Sequence, residues 1–101
     1  MNEKLAKQTI HGERITVARV HLAKGAVVPR HSHSNEQISM PERGKVRFMF
    51  DDGDQLVESG QVLTIPPNMA HAVEALEDSI VVDLFSPIRE DWIRGDDAYL
   101  R

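Results

Sequence analysis

The 101-residue sequence holds five histidines and no cysteine, so any metal it binds must rest on imidazole, carboxylate, amide or water, and thiolate chemistry is excluded. His31-Ser32-His33 sets two imidazoles at i and i+2, which on an extended strand share one face and can grip one ion. Gln37 has the same parity if the chain stays extended, and His71 follows Pro66-Pro67-Asn68, a turn that would aim it inward. His31, His33 and His71 with the Gln37 amide oxygen are therefore candidate ligands for one divalent ion. On spacing alone, however, His-x-His fits two solvated histidines beside Pro29 and Arg30 better than it fits a metal site. His11, in a polar stretch, and His21, on a poorly alternating strand, read as surface or structural residues.

A second group lies near the C-terminal end. Asp83 interrupts the apolar run Ile80-Val81-Val82-Asp83-Leu84-Phe85, where a carboxylate facing a closed core costs several kcal/mol unless it is paired or functional. Strand parity puts Phe85 beside it. Arg89, just beyond Pro87, can fold back as a two-point clamp for a carboxylate. Two readings stand: a functional Asp83 and Arg89, or a structural ion pair between them with Phe85 as core.

The elements that must position these residues are mostly strands. Residues 14–22 are β-branched and apolar before a Lys24-Gly25 turn. Residues 46–50 and 55–58 form a hairpin around Asp51-Asp52-Gly53-Asp54. Residues 61–65, 71–76 and 80–85 supply further strands, separated by Pro66-Pro67-Asn68 and Glu77-Asp78-Ser79. The helical signal is confined to residues 86–95, with Ser86 as N-cap, Pro87 in the first turn, acids next and Gly95 after. Many short strands at regular spacing imply a small closed β-barrel or jelly roll, since closure hides sheet edges.

Length sets one domain, residues 1–101, with a core thin enough to need subunit contacts. A net charge of −4 without a basic, aromatic patch argues against nucleic acid. No apolar run reaches the roughly 18 residues of a membrane span and residues 1–9 lack a hydrophobic signal region, so the expected location is the cytoplasm. Apolar strand positions near the N-terminus would leave sticky surface on an isolated barrel, which leads us to expect a homodimer.

The glycines give the histidines a context. Gly25, five residues, His31-Ser32-His33, three residues, Gln37, six residues and Gly44 together resemble the first motif of the cupin family. Gly60, five residues, Pro66, one residue, Asn68, two residues and His71 resemble the second, with Asn68 in place of a glycine and Ala75 in place of an asparagine. Asparagine tolerates the left-handed conformation such a turn needs. The fifteen residues between Gly44 and Gly60 match the short spacing of small microbial cupins. The resemblance implies an all-β double-stranded β-helix, or jelly-roll barrel, with a short C-terminal helix and one divalent metal ion (Ni, Zn, Mn or Fe). Family members commonly use Glu where the spacing here lands on Gln37. A bulge would bring Glu36 inward instead. Three imidazoles and a neutral amide leave an ion its full charge as a Lewis acid, whereas a carboxylate suits redox cycling.

The run from Asp83 to Trp92, closing in Tyr99-Leu100-Arg101, is similar to the end of small cupins of the pectin-degradation type. That resemblance implies action on 4,5-unsaturated uronates by ring opening and ketonisation. It casts Asp83 in proton transfer, Arg89 on the uronate carboxylate and Phe85 as the pocket wall. Met40-Pro41-Glu42-Arg43 departs from the pattern, because Pro41 cannot donate to a ladder and should disturb the barrel there. A metal-dependent dioxygenase and a non-catalytic small-molecule-binding cupin are the alternative functions.

Overall fold

The computed structural model describes residues 4–95. The Tyr99-Leu100-Arg101 ending lies outside the described residues. Nine strands, β1 (Leu5–His11), β2 (Thr16–Leu22), β3 (Val27–His31), β4 (Glu36–Arg43), β5 (Lys45–Phe50), β6 (Gly53–Glu58), β7 (Leu63–Ile65), β8 (His71–Ala75) and β9 (Ser79–Ser86), precede one helical turn, α1 (Glu90–Ile93). They form two antiparallel sheets, ordered β1-β2-β9-β4-β7 and β3-β8-β5-β6. The fold is the all-β jelly roll that the strand pattern implies.

Alternation decides what fills the space between the sheets. Along β2, Thr16, Ala18, Val20 and Leu22 are buried while the residues between them are not, as a half-covered antiparallel sheet requires. Val81 and Phe85 of β9 join them, and Val28, Val46, Phe48 and Val73 answer from the second sheet. Asp83 has the inward parity of Val81 and Phe85, which puts a carboxyl among apolar groups.

The observed strands differ from the expected ones where long-range pairing overrides local signal. β1, β3 and β4 carry weak local patterns and form because the ladders complete them. In the β5–β6 hairpin, Phe50 pairs with Gly53 and Met49 with Asp54, so only Asp51 and Asp52 make the turn. Pro41 sits within β4 opposite Val81, and the register slips between Pro41 and Arg43; a one-residue bulge absorbs the disturbance locally. Gly44, which follows, has φ 84°, and a Cβ there would run into Ser79.

The helix is shorter than its sequence signal. β9 continues through Ser86, which pairs with Glu36, and a residue before proline is steered toward extended backbone. Arg89 takes the N-cap position without a side-chain cap, and α1 buries none of its residues. Among the described residues no helix is long and apolar enough to cross a membrane.

Candidate metal centre and its pocket

β3, the loop after it, and the start of β8 bring three imidazoles together. His31 pairs with His71 across the β3–β8 ladder, and the ligand atoms of His31, His33 and His71 all lie within 4.8 Å of one another. The second motif is tied to the first by Asn68, whose N–H donates to the His33 carbonyl at 2.8 Å. Asn68 has φ 66°, the left-handed geometry expected of it.

Each imidazole is oriented by a backbone carbonyl two residues away. His31 Nδ1 lies 2.8 Å from Pro29 O, His33 Nδ1 3.1 Å from Asn35 O, and His71 Nδ1 2.9 Å from Met69 O. A carbonyl only accepts, so at His31 and His71 Nδ1 carries the proton and Nε2 presents a lone pair. Burial holds the rings neutral. It pushes His31 and His33 down to about 4 and lowers His71 as well, with the nearby Arg89 charge adding to the effect.

Gln37 completes this donor set. It is buried, whereas Glu36 is exposed, so the strand turns the amide rather than the carboxylate inward. Its Nε2 donates to Ser39 Oγ at 2.8 Å and to Asp83 Oδ1 at 3.3 Å, while Ser39 Oγ donates to Asp83 at 2.6 Å. These bonds fix the amide and leave Gln37 Oε1 3.0 Å from His33 Nε2. A neutral His33 has one proton for two accepting oxygens, Asn35 O and Gln37 Oε1, so one of its ring nitrogens must set a lone pair against an oxygen. A cation at Nε2 and Oε1 would relieve that arrangement by leaving the proton to Nδ1, and donors of this kind with outer hydrogen bonds in place are what a divalent ion requires.

Asp83 and Arg89 enter the same space from β9 and the segment beyond it. The cavity, about 50 Å³, is lined by His31, Gln37, His71, Asp83, Phe85, Arg89 and Trp92 together with apolar core residues. Burial raises the Asp83 carboxyl to about 6, and the opposing pull of Ser39, Gln37 and the Arg89 charge does not cancel it. Arg89 closes on Asp91, Nε to Oδ1 at 2.9 Å and Nη2 to Oδ2 at 2.7 Å. Its guanidinium carbon lies 4.7 Å from the Phe85 ring centre and 4.1 Å from that of Trp92.

Residues without a sequence signal support this wall. Thr16 Oγ1 accepts the Arg89 N–H at 2.8 Å and lies 2.8 Å from His11 Nδ1. Since its hydroxyl oxygen accepts from Arg89, its proton is free to go to His11, which makes that histidine a structural residue. Asn35 Nδ2 donates to Pro87 O at 2.6 Å and to Ile88 O at 3.2 Å. In the sequence Asp91 reads only as one of the acids that follow Pro87, and Trp92 only as the end of the run from Asp83.

The Cupin_2 family of cupin domains matches residues 18–86. The pectin degradation protein KdgF of Dickeya dadantii is 32% identical over 76 residues, covering 73% of this chain and 69% of that protein. The structure of KdgF from Halomonas sp. superposes with a TM-score of 0.83 at 28% identity, over 90% of this chain and 87% of the other. An RmlC-like cupin from Shewanella frigidimarina gives the same TM-score of 0.83 at 25% identity, over 91% and 84%. With the glycine-bounded motifs, the two-sheet jelly roll and the clustered histidines all in place, the chain belongs to the cupin family.

Proposed function

We propose that the protein is a metal-dependent sugar enzyme that opens and ketonises 4,5-unsaturated uronates, the products of pectin breakdown. One observation carries the reading: Asp83, Phe85 and Arg89 converge on the cavity that His31, His71 and Gln37 line. The likeness to two KdgF proteins, one described as a pectin degradation protein, supports the substrate class. His31, His33, His71 and Gln37 would hold the ion, which supplies Lewis acidity toward a sugar oxygen. Asp83, raised to about 6 by burial, is suited to take and return a proton near neutral pH. Arg89 grips the uronate carboxylate at two points, and Phe85 walls the pocket and excludes water. The four neutral donors favour this non-oxidative chemistry over a dioxygenase.

The test follows the substrate's own ultraviolet absorbance, from the C4=C5 double bond conjugated to the carboxylate. Incubating the metal-loaded chain with an unsaturated galacturonate should remove that absorbance faster than buffer and metal alone. An unaccelerated loss would refute the reading.

We also propose that the protein works as a homodimer through the outer face of the five-stranded sheet. Ile38 and Met40 of β4, Val17 of β2, and Ile80, Val82 and Leu84 of β9 have outward parity and are only partly covered. Arg19 and Glu42 flank β9 and meet across it at 3.0 Å, so a two-fold axis along β9 sets each beside its opposite on a second copy. Five strands at 4.8 Å spacing and about six residues long offer about 500 Å² per copy, the lower end of a specific interface. Light scattering should give twice 11.4 kDa, and Leu84→Glu should halve it; the mass of one chain for the unmodified protein would refute the dimer.

A further inference from the structure

The carboxylate grip assigned to Arg89 is already occupied. Asp91, two residues on, holds Nε and Nη2 at 2.9 and 2.7 Å, the same two-point geometry an external carboxylate would seek. The Arg89 side chain is only 2% exposed, and the cavity beside it, about 50 Å³, has room for a few waters and not for a monosaccharide. A sugar can enter only if something at the mouth moves.

The segment holding Asp91 is built to move while Arg89 stays. Up to Arg89 the backbone is anchored to the barrel, by Asn35 to the carbonyls of Pro87 and Ile88 and by Thr16 to the Arg89 N–H. Beyond Arg89 the backbone hydrogen bonds among the described residues run locally, from Ile93 N to Arg89 O and from Arg94 N to Glu90 O. α1 is four residues long, lacks a side-chain N-cap and buries none of its residues, so it has little stability of its own. Among the described residues it meets the mouth at the Asp91 pair and at Trp92, which packs edge-on to Phe85 at 5.1 Å and lies under the Lys7 ammonium. Asp91 also borders an outer polar cleft with Ser34, Asn35, Glu90 and Arg94, a place to which it can withdraw.

We propose that Asp91 is an internal occupant of the Arg89 carboxylate site and sets its specificity. A ligand carboxylate displaces Asp91, and the turn of residues 90–95 moves off the mouth with Trp92. A neutral sugar cannot replace the two charge-assisted hydrogen bonds that Arg89 gives up, so it gains nothing by opening the turn. A carboxylate restores both. The proposal rests on the reading of Arg89 as a uronate grip.

The experiment compares D-galacturonate with D-galactose, which carries a hydroxymethyl group where galacturonate carries the carboxylate, on full-length chains loaded with the same divalent ion. Trp92 is the one tryptophan in the sequence, so its emission reports the position of the turn while calorimetry reports binding. Galacturonate should bind the unmodified protein with a red shift of Trp92 emission, and galactose should do neither. Asp91→Asn keeps the shape but weakens the internal competitor, so it should red-shift the free protein's emission and tighten galacturonate binding about tenfold. Asp91→Ser, smaller and unable to form the two-point pair, should act in the same direction. Unchanged or weaker galacturonate binding in both variants would show that Asp91 merely orients Arg89 and would overturn the proposal, as would binding with no movement of the emission. Arg89→Gln separates the two levels. If it binds galacturonate as well as the unmodified protein does, the uronate reading of Arg89 falls and this proposal with it. If it binds poorly while Asp91→Asn does not tighten, only the role of Asp91 falls.

Discussion

Two walls of one cavity are held in opposite ways. On the imidazole wall, each histidine takes its orientation from a carbonyl two residues away, at Pro29, Asn35 and Met69. On the facing wall, Asp83 depends on Ser39, 44 residues earlier, Arg89 depends on Thr16, 73 residues earlier, and Pro87 depends on Asn35, 52 residues earlier. On the first wall the orientation of each ring is written into a short stretch of chain, and the β3–β8 ladder then brings His71 to His31. The second wall exists only when the whole sandwich has closed. Ring orientation toward an ion is therefore preset locally, while the groups proposed to act on a substrate are set by the global fold.

The comparison breaks most completely on the imidazole wall. His31→Ala combined with His71→Ala removes two of three converging imidazoles, and metal uptake by elemental analysis should drop from one ion per chain to none, with the fold retained in far-ultraviolet circular dichroism. Undiminished uptake would mean that the ion sits elsewhere. On the facing wall, Asp83→Asn keeps the side-chain shape but takes away the group assigned to proton transfer. Turnover of an unsaturated uronate should fall by about 10² to 10⁴, with metal content unchanged, because Gln37 still faces the imidazoles. Equal turnover per folded molecule would remove Asp83 from the chemistry.

The difference between the walls also explains what the sequence could disclose. His31, His33 and Gln37 share one parity on a short stretch, and the Pro66-Pro67-Asn68 turn aims His71, but spacing alone fits solvated histidines as well; the glycine-bounded motifs single these residues out, while β3 and β4, which bear His31 and Gln37, give little local signal. Ser39, Thr16 and Asn35 look like any polar residue of a strand or loop, since their partners lie on elements whose adjacency no local pattern declares. Asp91 is different in kind. It stands next but one to Arg89, but Asp83 was the more conspicuous acid, and only the close approach of Asp91 to the guanidinium shows where the fork goes. The same reasoning covers the elements: β2, β5, β8 and β9 announce themselves by β-branched and apolar residues between turn signals, whereas β4 contains a proline and β1 is largely polar, and both are strands because neighbours supply their hydrogen bonds.

Acidification probes the imidazole wall without mutation. His31 and His33 titrate at about 4 in the fold against an ordinary 6.5, and His71 is lowered too. Between pH 6.5 and 4 the unfolded chain binds protons that the folded chain refuses, so stability is lost as pH falls through that window. Asp83 runs the other way, because its folded carboxyl takes a proton at about 6 and its unfolded one only near 3.8. Three imidazoles outweigh one carboxyl. The melting temperature of the metal-free chain should drop on the order of 10 °C between pH 7 and pH 5. A flat profile would indicate that the rings are solvated rather than held neutral.

The smallest expected effect comes from the longest of the long-range contacts. Thr16 is fully buried on β2, accepts the Arg89 N–H and stands against His11. Thr16→Val preserves the branched shape and volume while deleting the acceptor, so one buried N–H is left unpaired, at a loss of about 1 to 2 kcal/mol of stability. If Thr16 does no more than hold the fold together, turnover per folded molecule should be untouched. If it positions the backbone from which Arg89 reaches over the cavity, the loss should appear in substrate binding, as a KM several-fold higher for the unsaturated uronate with kcat nearly unchanged, because Asp83 and the imidazole wall do not depend on this bond. Thr16→Ser, which restores the hydroxyl without the methyl, should recover the KM. A variant series in which KM follows the loss of the methyl rather than the loss of the hydroxyl would show that packing, and not the hydrogen bond across 73 residues, sets the position of Arg89.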